Sequence, residues 1–213
     1  LSVKFDRAAL IAALSAGTTT YTVPGAGVGD LQSHFYRLVT KDAASQTTAS
    51  ADQFTKYATH LVAGQHLLSI PVRMSDTRID TVLRTVDYRV ARTYVNPAGQ
   101  GKNWLTKAKD KPWGDLTNVD ETQALWLLVN ADSELVVAGI VPASVTIRLA
   151  AGWNFVGYPS FVDRTVSSAL AGANLQTVEG FAESNPPFYL RRLASTDALL
   201  AGDGLWIHVS AAF

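Results

Sequence analysis

Leu61–Val72 (LVAGQHLLSIPV) and Leu149–Ser160 (LAAGWNFVGYPS) are one pattern written twice, 88 positions apart. Leu61 and Leu149, Ala63 and Ala151, Gly64 and Gly152, and Pro71 and Pro159 fall at matching places. Between the Gly and the Pro each stretch holds an apolar pair, Leu67-Leu68 or Phe155-Val156. The pattern predicts a glycine turn that reverses the chain, a short buried strand, and a proline that ends it by removing a ladder donor.

The two stretches open segments that run in parallel. After Pro71, Ile79, Val82, Leu83 and Val86 recur at helical spacing behind Asp76, which predicts a helix with an acidic cap over 76–83. Strands follow at Tyr88–Tyr94, Leu125–Val129 and Leu135–Val137, with a Pro/Gly loop at Asn96–Lys102. The second copy repeats that order. It has a strand at Ile147–Leu149, the GWNFVGYP strand, a short helix over Thr165–Ala171, a strand over Thr177–Phe181 and a closing strand at Leu205–Val209. Leu125-Trp126-Leu127 matches Leu205-Trp206-Ile207. Repeats of this length read as small α+β domains rather than solenoid rungs.

Before the first copy, Leu1-Ser-Val-Lys-Phe5 alternates with period two, as a half-buried strand does. Ala8–Leu14 reads as a short helix, and β-branched Thr18–Val23 as a strand. His34–Lys41 and a Thr/Ser-rich strand through Phe54 read as a hairpin turned at Asp42–Ser45. Gly25–Gly29 reads as a turn, because Asp30-Leu31-Gln32-Ser33 supplies no helix to complete a phosphate loop.

Thr19–Val23, His34–Ala44 and Thr47–Tyr57 resemble the last three strands of a fibronectin type III sandwich. Leu149–Ser160 and Gly202–Val209 (GDGLWIHV) resemble a module of large secreted and cell-surface proteins of bacteria and archaea, which an AGWN segment opens and an aromatic strand closes. Repeat one departs from it, with Gln65-His66 for Trp-Asn and Ala124 for the glycine before the closing strand. The expected fold is therefore mainly β with a few short helices. A partial immunoglobulin or fibronectin type III-like sandwich (1–58) precedes two repeated α+β modules (59–144 and 145–213). The resemblance implies extracellular placement and a structural or adhesive role, with no reaction. The start at Leu1 fits an expectation that a signal segment has been removed.

Composition narrows the functional classes. Eighteen basic and eighteen acidic residues cancel, which leaves no electrostatic footprint for nucleic acid. No apolar run approaches the roughly 20 residues of a helical membrane span. The absence of cysteine rules out disulfides and thiolate sites. His34, His60, His66 and His208 are scattered, and no Gly-x-Ser-x-Gly elbow is present. Asp115, Asn118, Asp120 and Glu121 read as a solvated turn rather than a cation loop. We expect no catalytic residues, no metal and no cofactor. The five tryptophans read as core packing, with Trp113 the exception.

Two edges look unfinished. Repeat one carries a strand at Glu134–Gly139 whose counterpart in repeat two is absent up to Phe213. Open strand edges template addition of a strand from another chain. The expected partners are copies of the chain itself in a head-to-tail filament or array, with Leu1, Val3, Phe5, Trp206, Val209 and Phe213 as the candidate interface. The alternative is a carbohydrate-binding or adhesive module cut from a larger secreted protein, with polysaccharide as its partner.

Overall fold

The computed structural model describes residues 9–25, 29–99 and 102–213. The expected Leu1–Phe5 strand, with Leu1, Val3 and Phe5, lies outside them. In chain order the elements are β1 (Phe35–Tyr36), β2 (Val39–Lys41), β3 (Thr47–Ala49), β4 (Phe54–Leu61), β5 (Gly64–Ser69), α1 (Ile79–Val82), β6 (Tyr88–Gly99), β7 (Lys102–Ala108), β8 (Ala124–Val129) and β9 (Ser133–Ile140). They continue with β10 (Gly152–Gly157), β11 (Arg164–Thr165), α2 (Val166–Ala169), β12 (Leu175–Phe181), β13 (Leu190–Arg192), β14 (Ala198–Leu199) and β15 (Gly204–Val209). The fold is mainly β, as expected.

Two four-stranded antiparallel sheets dominate, ordered β5-β8-β6-β7 and β10-β15-β12-β13. Their registers correspond. Gly64 pairs with Val129 as Gly152 does with Val209, and Leu67 pairs with Trp126 as Phe155 does with Trp206. The third strand slips in both, between Tyr88 and Val90 and between Leu175 and Thr177. One face of each sheet packs on its own helix: Leu125, Leu127 and Val129 join Ile79 and Val82, while Leu205, Ile207 and Val209 join Val166.

The opposite faces pack on each other, and their contacts come in matched pairs. Leu68 bridges Asp203, and Val156 bridges Gln123. Ser69 N–H donates to the Gly202 carbonyl at 2.7 Å, and Gly157 N–H donates to the Thr122 carbonyl at 2.9 Å. Each sheet thus gives the other the same contact it receives, the arrangement of a two-fold interface. Leu67, Ala124 and Phe155 fill its centre, with Tyr94, Trp126, Phe181 and Trp206 packed around them. The rings cross the boundary in both directions: Tyr94 lies 5.0 Å from Trp206, and Phe181 lies 6.4 Å from Trp126. Gly157 sits where the backbones meet, since a Cβ there would stand 2.6 Å from the Ser69 Cβ.

Departures from the expected elements have physical causes. Thr18–Val23 and residues 9–14 form no strand or helix, because β propensity is realised only beside a partner strand. His34–Lys41 divides into β1 and β2, which pair with different strands, and β4 continues past residue 58 to pair along its length with β9. The expected loop at 96–102 is largely strand, since β6 reaches Gly99 and pairs it with Lys102. Of the expected strand Ile147–Leu149 only Leu149 is laddered, and the segment is not a strand. Helix α1 begins later than expected, with Arg78 at the cap position and no side chain bonding the first-turn N–H groups there, while Asp76 accepts from the Arg78 backbone N–H and guanidinium. In α2 the Thr165 hydroxyl accepts from Ser168 N–H at 3.3 Å.

Beyond β1, the outer edge of β4 is closed by side chains. The buried Lys56 ammonium lies 2.8 Å from the Asp30 carboxylate, and this hydrogen bond holds the Asp30 carboxyl below the usual range.

Candidate functional site: an open strand edge beside α2

In the first unit β4 and β9 form an eight-position ladder from Phe54↔Ile140 to Leu61↔Ser133. Alternation turns Tyr57 and Leu61 of β4, and Leu135 and Val137 of β9, into the core beside Ile70, Val72, Val82, Leu83 and Val86. The far side of β9 is closed by Arg73, which bridges Ile140, and by the Thr85 hydroxyl, which accepts from Val136 N–H.

In the second unit, residues 142–149 stand in the place of β4. Val145, Ile147 and Leu149 alternate inward, while Ser144, Thr146 and Arg148 are exposed. This is the burial pattern of a half-buried strand, yet only its last residue is laddered. Leu149 N–H donates to the Phe213 carbonyl and Phe213 N–H to the Leu149 carbonyl, each at 2.8 Å. Among the described residues, 142–148 make no backbone–backbone hydrogen bond.

Beside this edge runs an open groove of about 450 Å³, lined by Val145, Ile147, Tyr158, Ala169, Leu170 and Phe213 among others. It lies where the first unit buries Leu135 and Val137. The wall residues correspond, with α2 and its C-terminal turn giving Ala169, Leu170 and Ala173 where α1 gives Val82, Leu83 and Val86. Alanines in place of two valines widen the groove. The Tyr158 hydroxyl donates to the Val162 carbonyl at 2.6 Å, and burial pushes its phenol up.

The turn that aims the edge is built alike in both units. Asn154 is buried, accepts from Ala150 N–H at 2.9 Å and donates to the Ala150 carbonyl at 2.8 Å. His66 reaches the Val62 carbonyl at the corresponding place, 2.7 Å away. Gly64 and Gly152 both hold positive φ, 137° and 95°, which favours glycine.

The interface residues expected from sequence are dispersed. Val209 is fully buried in the core of its own sheet, and Trp206 faces the other sheet, 5.0 Å from Tyr94, so neither lines the groove. Phe213 stands at its mouth, with its ring 3.6 Å from where a Gly172 Cβ would be. The groove residues Val145, Ala169, Leu170 and Ala173 were not anticipated, although alternation through Val145, Ile147 and Leu149 was a visible signal.

Other candidates resolve into ordinary contacts. Asp115 accepts from Thr106 N–H, Asp120 from Thr122 N–H, and Glu121 from the Arg73 guanidinium. Among the described residues no group of three His, Asp or Glu side chains is placed to hold a metal ion. No described helix is long and apolar enough to cross a membrane. Trp113 is 62% exposed, Trp104 44% and Trp153 37%, and the last two flank Trp206. Comparison with protein-family models, with curated proteins and with solved structures returns no match.

Proposed function

We propose that this chain is a non-enzymatic, extracellular structural protein built on a duplicated module, whose copies join head to tail by strand addition into a surface filament or array. The observation that supports this is the edge at 142–148. It alternates in burial as a half-buried strand does, lies beside an open groove, and carries one rung where β4 carries eight. An added strand gains backbone hydrogen bonds worth about 0.5–1.5 kcal/mol each net. Each inward Val- or Leu-sized side chain adds about 1.5–3 kcal/mol. A donor and an acceptor on different surfaces of one chain make a head-to-tail contact, which propagates into a filament where the rotation between copies does not close a ring.

The test is light scattering and negative-stain imaging of the purified chain, beside a version extended after Phe213 by the β9 sequence ELVVAGI. In the register of the first unit that extension lies along 148–142. The unextended chain is expected to form polymers and the extended chain to stay monomeric. A native chain that remains monomeric at high concentration overturns the proposal.

A second reading, a carbohydrate-binding or adhesive module, draws on the exposed rings of Trp104 and Trp153 beside Trp206. Retention on polysaccharide resins that falls on Trp104→Ala would favour it.

A further inference from the structure

We infer that Trp104, Trp153 and Trp206, with Glu179, Arg192 and His208 beside them, form a binding face for a neutral glycan chain of gluco-configured pyranoses, whose ring substituents are equatorial. The inference rests on the second reading above and names its site and its ligand.

The site lies where the β6–β7 hairpin of the first unit crosses β10 and β15 of the second. The Asn96 amide ties the hairpin down there, donating to the Ala151 carbonyl at 3.2 Å and to the Trp153 carbonyl at 2.8 Å. Trp104 comes from β7 and lies 5.8 Å from Trp206, while Trp153 comes from β10 and lies 6.0 Å from it. Among the described residues the ring pairs of Trp104 and Trp153 are tilted or edge-on, at 58° to 88°, so neither indole is shut inside a stack. Both stay exposed.

Packing alone does not require these two side chains. The registers of the two sheets match this corner to a second one, where the β12–β13 hairpin meets β5 and β8. There Phe181, Leu67 and Trp126 stand for Tyr94, Phe155 and Trp206, so the apolar filling of the boundary is kept. Leu190 and Gln65, both half-buried, stand for Trp104 and Trp153, and Leu128 stands for His208. The same boundary therefore closes without an exposed indole. Large apolar rings left bare where packing has no use for them mark a surface that another molecule covers.

The polar groups around the tryptophans select that molecule. Residues directly opposed on neighbouring strands share a face. Trp153 is opposed by His208 and His208 by Thr177, while Trp206 is opposed by Glu179 and Glu179 by Arg192. The carboxylate and the guanidinium cancel, which favours a neutral ligand over an acidic one. Among the described residues neither Glu179 nor His208 has a hydrogen-bond partner. Hydroxyl groups donate to a carboxylate, accept from a guanidinium and do either with an imidazole. A gluco-configured pyranose carries its hydroxyls around the rim and presents axial C–H groups on both faces, apolar surface suited to an indole. Two exposed rings favour a chain over a single sugar. The second corner lacks this fringe as well, with Arg92, Thr106 and Val90 in place of Glu179, Arg192 and Thr177.

The experiment measures binding of cellohexaose to the full chain by calorimetry and tryptophan fluorescence. A galactan oligosaccharide of the same length, with one axial ring substituent per sugar, and an acidic oligogalacturonate are the comparison probes. Trp104→Leu and Trp153→Gln install the residues of the second corner, Glu179→Ala removes a polar group without disturbing a ring, and Trp113→Ala removes an exposed indole outside the site. Circular dichroism and urea midpoints check that each variant keeps the parent fold. Cellohexaose is expected to bind at least about tenfold more tightly than the other probes. Trp104→Leu and Trp153→Gln should each weaken it at least about tenfold, Glu179→Ala should weaken it less, and Trp113→Ala should bind like the parent. If cellohexaose binds and the three site variants leave its affinity unchanged, the carbohydrate-binding reading stands and this site is wrong. If the galactan or the acidic probe binds more tightly, the ligand is wrong. If no probe binds and polysaccharide resins retain nothing, both fall. If no probe binds and light scattering shows self-association that Trp153→Gln removes, a second copy covers the face, which overturns the glycan assignment.

Discussion

Leu149 and Phe213 exchange two backbone hydrogen bonds, each 2.8 Å, in the position where Leu61 and Ser133 begin the long ladder of the first unit. That rung fixes the register of whatever follows along residues 148 to 142. It also makes the two units direct controls for each other, because a change at one site has a counterpart whose surroundings differ in a known way.

The first prediction uses that control on the core. Leu135→Ala empties a buried site in the first unit and should cost about 2–5 kcal/mol by urea denaturation. Val145→Ser with Ile147→Ser acts on half-buried residues at the open edge and should cost the lone chain no more than about 1–2 kcal/mol. The same pair should abolish polymerisation. A large stability loss from the pair would mean that the edge is already covered.

The second concerns the turn. Asn154→Ala leaves the Ala150 N–H and carbonyl without their side-chain partner and should cost about 2–4 kcal/mol. Asn154→His copies the arrangement of His66 and Val62 and should retain a substantial part of that stability. Equal losses for the two variants would show that the turns are not interchangeable.

A third prediction tests the packing between the units. Gly202 has a φ of 92°, and a Cβ there would fall 1.8 Å from the Tyr57 hydroxyl oxygen. Gly202→Ala should destabilise by about 2–4 kcal/mol through backbone strain and overpacking. In a background of Tyr57→Ala the same change should cost clearly less, so a double-mutant cycle should give non-additive values.

A fourth is alkaline. Burial pushes the Tyr57 phenol up to about 12, with the nearby Asp203 carboxylate adding to the shift. The folded state keeps the proton that the unfolded chain releases near pH 10, so this contribution is constant below pH 10 and is lost as pH rises toward 12. The loss should be about 2–3 kcal/mol for Tyr57. Tyr88, also raised to about 12 by burial, adds a loss of the same sign. Tyr57→Phe should flatten its share of the slope in denaturation titrations from pH 9 to 12.

How far these features could be read in advance depended on whether their cause was local. The Gly–apolar–Pro pattern at Leu61–Val72 and Leu149–Ser160 marks β5 and β10, because turn and strand are written in consecutive residues. The GLWIHV run likewise marks β15. The pairing of β4 with β9 has no local signal, since two strands separated by a whole unit meet only when the unit folds. Thr18–Val23 shows the converse, strand-forming residues without a strand beside them. The facing of the two sheets was also hidden, because a repeated sequence tells that two units exist and not which surfaces they turn to each other. Part of the groove was visible, in the strand expected at Ile147–Leu149. Its width was not, because it comes from Ala169 and Ala173 standing where the first unit has Val82 and Val86.

Residues 141–148 are both the tether from β9 to the second sheet and the edge along which a neighbour's strand would lie. Tension applied to a string of such copies would run through that tether, parallel to the donor's own axis. Hydrogen bonds loaded in shear yield together rather than one at a time like a zip. The joint between subunits would therefore be the stiffest part of the string, and the tether would gain its mechanical strength only once a neighbour arrived.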